Sequence, residues 1–171
     1  GGNYVNVIEY ITIASTGNAT DFGDRTVSNR SGAKFSSPTR AFYACGHDAP
    51  APANTIDFVT IATTGDAADF GDASFSRREL SGGSSSTRGV YAGGTDAAGD
   101  FNTDIDNITM ASQGNAIDYG NLNVGAYSGA ATSNSVKAIF GGGNKSGSLA
   151  NDIEQFTIAN GGLCTDFGDL T

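Results

Sequence analysis

The chain has 171 residues, with 25 Gly, one His, one Met and no Trp, and its 9 Lys and Arg against 18 Asp and Glu leave a net charge of −9. Nucleic-acid binding through counterion release needs clustered cations, as does docking on an anionic membrane surface, and neither is supplied by scattered ones. No apolar run approaches the roughly 18 residues that span a bilayer, so no nucleic-acid partner and no membrane insertion are expected.

The first landmark is the pair Gly1-Gly2, with counterparts Cys45-Gly46, Gly93-Gly94 and Gly142-Gly143. Each later copy follows a short apolar run: Ala41 to Ala44, Gly89 to Ala92, and Ala138 to Gly141. Small residues ending a strand allow close backbone approach or a bulge. A loop of variable length comes next, as expected at a surface. The clearest strand is the hexad from Ile8 to Ile13, repeated as Ile56 to Ile61, Ile105 to Met110 and Ile153 to Ile158. Its first, fourth and sixth positions are apolar in every copy. They do not share a parity, so both faces of the pleat must be covered. Position two is acidic in all four copies, Glu9, Asp57, Asp106 and Glu154, and position five is Thr throughout.

A turn follows each hexad, with Gly before Asn or Asp in three of the four copies, a hairpin signal because such turns need positive φ. Then comes the constant tetrapeptide: Asp21-Phe22-Gly23-Asp24, Asp69-Phe70-Gly71-Asp72, Asp118-Tyr119-Gly120-Asn121 and Asp166-Phe167-Gly168-Asp169. A fixed period of about 48 residues marks a repeat architecture. The spacing from the hexad predicts a strand paired back onto it. The aromatics Phe22, Phe70, Tyr119 and Phe167 are expected in the packing layer, with Ile13, Ile61, Met110 and Ile158 from the hexads. A weaker strand is expected in the Ser/Gly-rich segment that ends at Arg40, Arg88 or Lys137. The chain reads as one repeat domain over 1–171, with units near 1–44, 45–92, 93–141 and an incomplete 142–171.

Four short antiparallel strands per repeat, a glycine pair ending one strand and an aromatic on the last resemble a kelch-type β-propeller blade. Phe or Tyr stands where the common kelch pattern has Trp. The wording of the repeat is similar to kelch-like repeats of aquatic phage tail and virion proteins. The fold class expected is all-β, a β-propeller of about four blades with the last incomplete; an open repeat stack or fibre module is the alternative. The resemblance implies a non-enzymatic structural or adhesive role, extracellular or virion-associated, with copies of the chain, other structural subunits, or a surface glycan or receptor as partners. Two other readings stand beside it: a carbohydrate-binding or carbohydrate-active propeller, and a kelch-type adaptor binding one protein. A repeat cut short leaves an exposed strand edge, which can be covered by ring closure, by pairing of chains or by strand donation.

No catalytic set is expected. Asp-Phe-Gly is a kinase metal motif only beside a Gly-rich loop, a strand lysine and a His-Arg-Asp segment, and Gly141 to Ser146 lacks the phosphate-loop spacing. His47 is the sole histidine and falls in a variable loop. Asp96, Asp100, Asp104 and Asp106 crowd one segment; Asp100, Asp104 and Asp106 make a weak calcium candidate, since hard cations take carboxylate oxygens. No other cofactor is expected. Arg40, Arg88 and Lys137 are expected to pair with repeated acids such as Asp24, Asp72 or Glu9. A Cys45–Cys164 disulfide is left open by the sequence, as is glycosylation at the sequons of Asn18, Asn29, Asn107 and Asn144.

Overall fold

The computed structural model describes residues 4–171, all-β, as successive antiparallel sheets. The pair Gly1-Gly2 lies outside the described residues. The first sheet has two strands, Val7–Tyr10 and Thr20–Asp24. The second runs in sequence order through Ala33–Ser36, Arg40–Asp48, Ala51–Thr60 and Ala68–Asp72. The third repeats this with Ser81–Ser84, Arg88–Ala92, Asp104–Thr109 and Ile117–Asn121, and the short Gly162–Leu163 adds to its last strand in parallel. The fourth has Ala130–Ser133, Lys137–Gly141, Asp152–Thr157 and Thr165–Asp169. Each full sheet is thus a meander of Ser/Gly-rich strand, apolar run, hexad strand and aromatic-Gly strand.

The Ser/Gly-rich strands sit side by side, and their composition follows from that. Ser84 donates from its hydroxyl to Ser36 O at 2.8 Å, and from its backbone N–H to Ser133 Oγ at 2.8 Å. A Cβ on Gly82 would lie 3.0 Å from the Phe35 ring. The glycine pairs earn their conservation of type by geometry: Gly93 and Gly94 have φ of 71° and 90°, and Gly142 and Gly143 have 65° and 91°. Cys45, their counterpart, takes φ 61°, a left-handed conformation costly for a residue with a Cβ.

The core lies between sheets. One cluster joins Phe35, Phe42 and Phe70 of the second sheet to Tyr91, Ile108 and Met110 of the third. A second joins Val90, Ala92 and Leu122 to Phe140, Phe156 and Ile158. Both faces of a hexad strand are therefore covered, as its pattern requires. Phe35 stacks on Phe42 at 5.3 Å and on Tyr91 at 5.8 Å, and Phe70 meets Phe42 edge-on at 5.1 Å.

Candidate functional site

The constant tetrapeptide is a junction between successive units. In all four copies the register breaks at the aromatic. Ile8 faces Gly23 while Glu9 faces Asp21, which leaves Phe22 unopposed; Phe70, Tyr119 and Phe167 are left unopposed in the same way. This is a β-bulge, which bends the strand and re-aims one side chain. The bulge also turns its carbonyl away from its own sheet, toward the next unit. Gly65 N–H donates to Phe22 O at 2.7 Å and Ala67 N–H to Asp24 O at 2.7 Å. One repeat later Gly114 N–H donates to Phe70 O at 2.9 Å and Ala116 N–H to Asp72 O at 2.7 Å. At the third junction Cys164 N–H donates to Asn121 O at 2.8 Å, beside the parallel pairing of Gly120 with Gly162.

The turn's Asn or Asp completes the contact. Asp66 Oδ1 accepts from Asp24 N–H at 2.9 Å, and Asn115 Oδ1 from Asp72 N–H at 3.0 Å. The glycine of the tetrapeptide makes room: a Cβ on Gly23 would lie 2.4 Å from the Gly65 carbonyl, and one on Gly71 2.6 Å from Gly114 O.

The second hexad position closes each junction from inside. Asp57 pairs with Arg25 at 2.8 Å and accepts from the Thr26 hydroxyl. Asp106 accepts from Ser74 Oγ at 2.6 Å and Ser74 N–H at 3.0 Å, with the Arg77 guanidinium 3.1 Å away and both side chains fully buried. Glu154 accepts from Asn123 N–H at 2.9 Å and pairs with Lys145 at 2.8 Å. Thr26, Ser74 and Asn123 each stand two residues past their tetrapeptide.

The expected pairing of Arg40, Arg88 and Lys137 with Asp24, Asp72 or Glu9 is corrected. Arg40 donates to the carbonyls of Met110 and Ala111 at 2.9 and 3.2 Å, and Arg88 to those of Ala159 and Ile158 at 3.1 and 3.5 Å. These carbonyls end the next unit's hexad, within reach of the guanidinium. Lys137 donates instead to Gln155 of its own sheet. The acids are paired by cations elsewhere, Arg25, Arg77 and Lys145.

The core residues expected from the repeat divide by position in the stack. Phe70, Met110 and Ile158 are buried, and Phe22 and Tyr119 are half-buried. Phe167 is 58% exposed, Ile61 46% and Ile13 96%. Position six of the hexad packs on the preceding unit, and the bulge aromatic on the following one. Among the described residues Ile13 has no preceding unit and Phe167 no following one, and the unit before Ile61 has only two strands. Beside that short sheet lies a groove of about 430 Å³ walled by Phe42, Tyr43 and Phe58, with Arg25 and Asp57 at its polar side. Tyr91, the counterpart of Tyr43, is sealed by Phe35 from the sheet before it; among the described residues no inner strand precedes Tyr43 to do the same.

The structure does not assemble the calcium candidate. Asp106 is committed to Arg77 and Ser74, Asp104 is half-buried and Asp100 exposed, and among the described residues no group of three His, Cys, Asp or Glu side chains is placed to hold a metal. Asp96 Oδ1 instead accepts from the backbone N–H groups of Ala98, Gly99 and Asp100. His47 meets the Tyr4 hydroxyl at 2.7 Å. Cys45 and Cys164 are separate free thiols, and burial pushes each up to about 12. Two sequon residues, Asn29 and Asn107, are buried. Sequence reasoning placed the aromatic correctly in its strand but missed the bulge; its signal was the Gly after the aromatic.

Compared with family models and with curated proteins, the chain matches none.

Proposed function

We propose that the chain is a non-enzymatic structural or adhesive repeat module of the propeller type, built to assemble with copies of itself. The observation that carries this reading is the use made of the repeated polar groups. At the internal junctions the bulge carbonyls, the turn's Asp66 and Asn115, the hexad acids Asp57, Asp106 and Glu154, and the cations Arg40 and Arg88 bond from one unit to the next. A propeller supports the same layout: consecutive four-stranded meanders whose first strands gather side by side, each face buried only against a neighbour. The resemblance of the repeat to kelch-like phage tail and virion repeats supports work outside a host cell, on a virion or extracellular fibre. Loops after the glycine pairs, such as Thr95 to Asp104, would meet a glycan or receptor.

The test is the mass and appearance of the purified chain. Sedimentation and negative-stain electron microscopy are expected to show multimers or filaments that grow with concentration. A monodisperse monomer across the accessible concentration range would overturn the reading.

A further inference from the structure

The three internal junctions use a donor set and an acceptor set, and each set occurs once more without its mate among the described residues. The acceptor set is the last bulge, from Asp166 to Asp169. It lies in the edge strand Thr165–Asp169, and among the described residues no backbone N–H outside its own sheet bonds to Phe167 O or Asp169 O. The donor set is the first turn, Gly17-Asn18-Ala19, at the positions of Gly65-Asp66-Ala67 and Gly114-Asn115-Ala116. All three residues are exposed. A Cβ on Gly168 would meet nothing within 4 Å, whereas its counterparts Gly23, Gly71 and Gly120 all press against the next turn. The two halves are present, chemically intact and apart.

We propose that the chain binds a second copy of itself head to tail, with the first turn of one copy seated on the last bulge of the other. This rests on the assembly reading above and names the contact. By analogy with the internal junctions, Gly17 N–H donates to the partner copy's bulge carbonyl at position 167, and Ala19 N–H to that at 169. Asn18 Oδ1 accepts from the N–H at 169, as Asp66 and Asn115 do at 24 and 72. Two further groups stand in register, one of them, Lys137, donating in the single chain to Gln155. Lys137 stands where Arg40 and Arg88 reach the end of the next hexad, here the carbonyls of Ile13 and Ala14. Thr171 stands where Thr26, Ser74 and Asn123 cap the next hexad acid, here Glu9. The apolar side agrees: Ile13 would take the place of Met110 and Ile158, and Phe167 and Leu170 that of Phe70 and Leu122. The argument is continuity with an interface the molecule already builds three times. Such a contact joins unlike surfaces and propagates unless the rotation closes a ring.

Cysteine pairing tests it on the intact chain. At the third junction Asn121 opposes Leu163 in parallel pairing, which makes Asp169 and Asn18 the equivalent pair. Neighbouring strands lie roughly 4.8 Å apart, inside the Cα range of a disulfide. Asn18→Cys and Asp169→Cys are prepared as separate chains, mixed and oxidised mildly; the native thiols are buried and protonated and do not compete. A covalent dimer is expected in the mixture, at about tenfold or more over either variant alone, the factor of 1.4 kcal/mol of contact. Adding Ile13→Asp to the Asn18→Cys chain should abolish it, because a carboxylate would be buried without a partner; Ile13 is so exposed that the free chain keeps its circular dichroism.

Equal dimer yield from one variant alone would mean a like-to-like contact and overturn the proposal. So would a chain carrying both cysteines that gives only a cross-linked monomer, which is closure within one molecule. Multimers that persist without the cross-link, and with Ile13→Asp, would overturn this contact and leave the structural role standing. Absence of any multimer would remove both.

Discussion

The middle and the ends of this molecule are made of the same words and behave differently. Between the second and third sheets, Phe70, Met110 and Tyr91 are sealed, and Arg77 and Asp106 face each other with no solvent contact. At the ends, Phe167 and Ile13 occupy the same repeat positions in the open. Nothing in the hexad or tetrapeptide accounts for this, since the residues are matched in type. What differs is the neighbour. Burial in a repeat protein belongs to the interface between units, so a side chain's worth is set by what stands next to its sheet.

The largest break of that comparison is expected at the buried ion pair. Removing one partner leaves a charge stranded in the interior. Arg77→Ala should therefore cost on the order of 3–5 kcal/mol, adding the loss of its bond to Asp104 O at 2.7 Å. Asp152→Ala, in the last sheet, should cost about 1 kcal/mol or less, because its side chain is 37% exposed, its contact with Lys145 is partly solvated, and Lys145 keeps its pairing with Glu154. Urea titration of both variants checks this. Equal losses would mean that the two ends of the stack are as dry as its middle.

Next comes the bulge aromatic. Phe70→Ala leaves a cavity among Phe42, Phe58 and the third sheet and should cost about 3–4 kcal/mol. The identical change at Phe167 should cost below about 1 kcal/mol in the dilute monomer, where most of the ring is already in water. Chemical denaturation at low and high protein concentration reads both. A Phe167→Ala penalty that grows with concentration would sharpen the comparison, since it would mean that the exposed ring becomes buried in an assembly.

How much of this was legible follows from the same contrast. The period, the hexad strand covered on both faces and the strand carrying Phe70 were all readable, because they are properties of one unit and its average neighbour. The bulge was hidden. Its residues look like an ordinary strand, and only the Gly71 and Gly114 backbones, brought together from different units, explain why Gly is required. The pairing of the hexad acids was also hidden. Their cations do not repeat: Arg25 directly follows its tetrapeptide, Arg77 stands five residues past its own, and Lys145 comes from the loop after Gly142-Gly143. The regular cations Arg40 and Arg88 attracted the prediction and turned out to serve carbonyls. Exposure of Ile13 and Phe167 could be read from no local pattern at all.

The smallest effect concerns titration at the open end. Hydrogen bonding from Lys145 holds the Asp152 carboxyl below its usual range, against the opposing push of partial burial. For Lys145, burial works to lower the ammonium pKa, but its hydrogen bonds to Asp152 and Glu154 outweigh it and leave the value raised. A carboxyl depressed in the folded state stabilises above its unfolded pKa, about 4, and loses that contribution as pH falls through the lower folded value. A raised lysine stabilises below its unfolded value, about 10, and loses its contribution as pH climbs through the folded one. The pair therefore acts at full strength between roughly pH 5 and 9. Asp152→Asn should lower the melting temperature by a constant small amount over that window, and the gap should close as pH falls below the usual carboxylate range. A gap that stays open at pH 2 would assign the loss to packing of the side chain and not to its charge. Raising salt at pH 7 should shrink the gap as well, because this contact, unlike the Arg77–Asp106 pair, lies where ions can reach it.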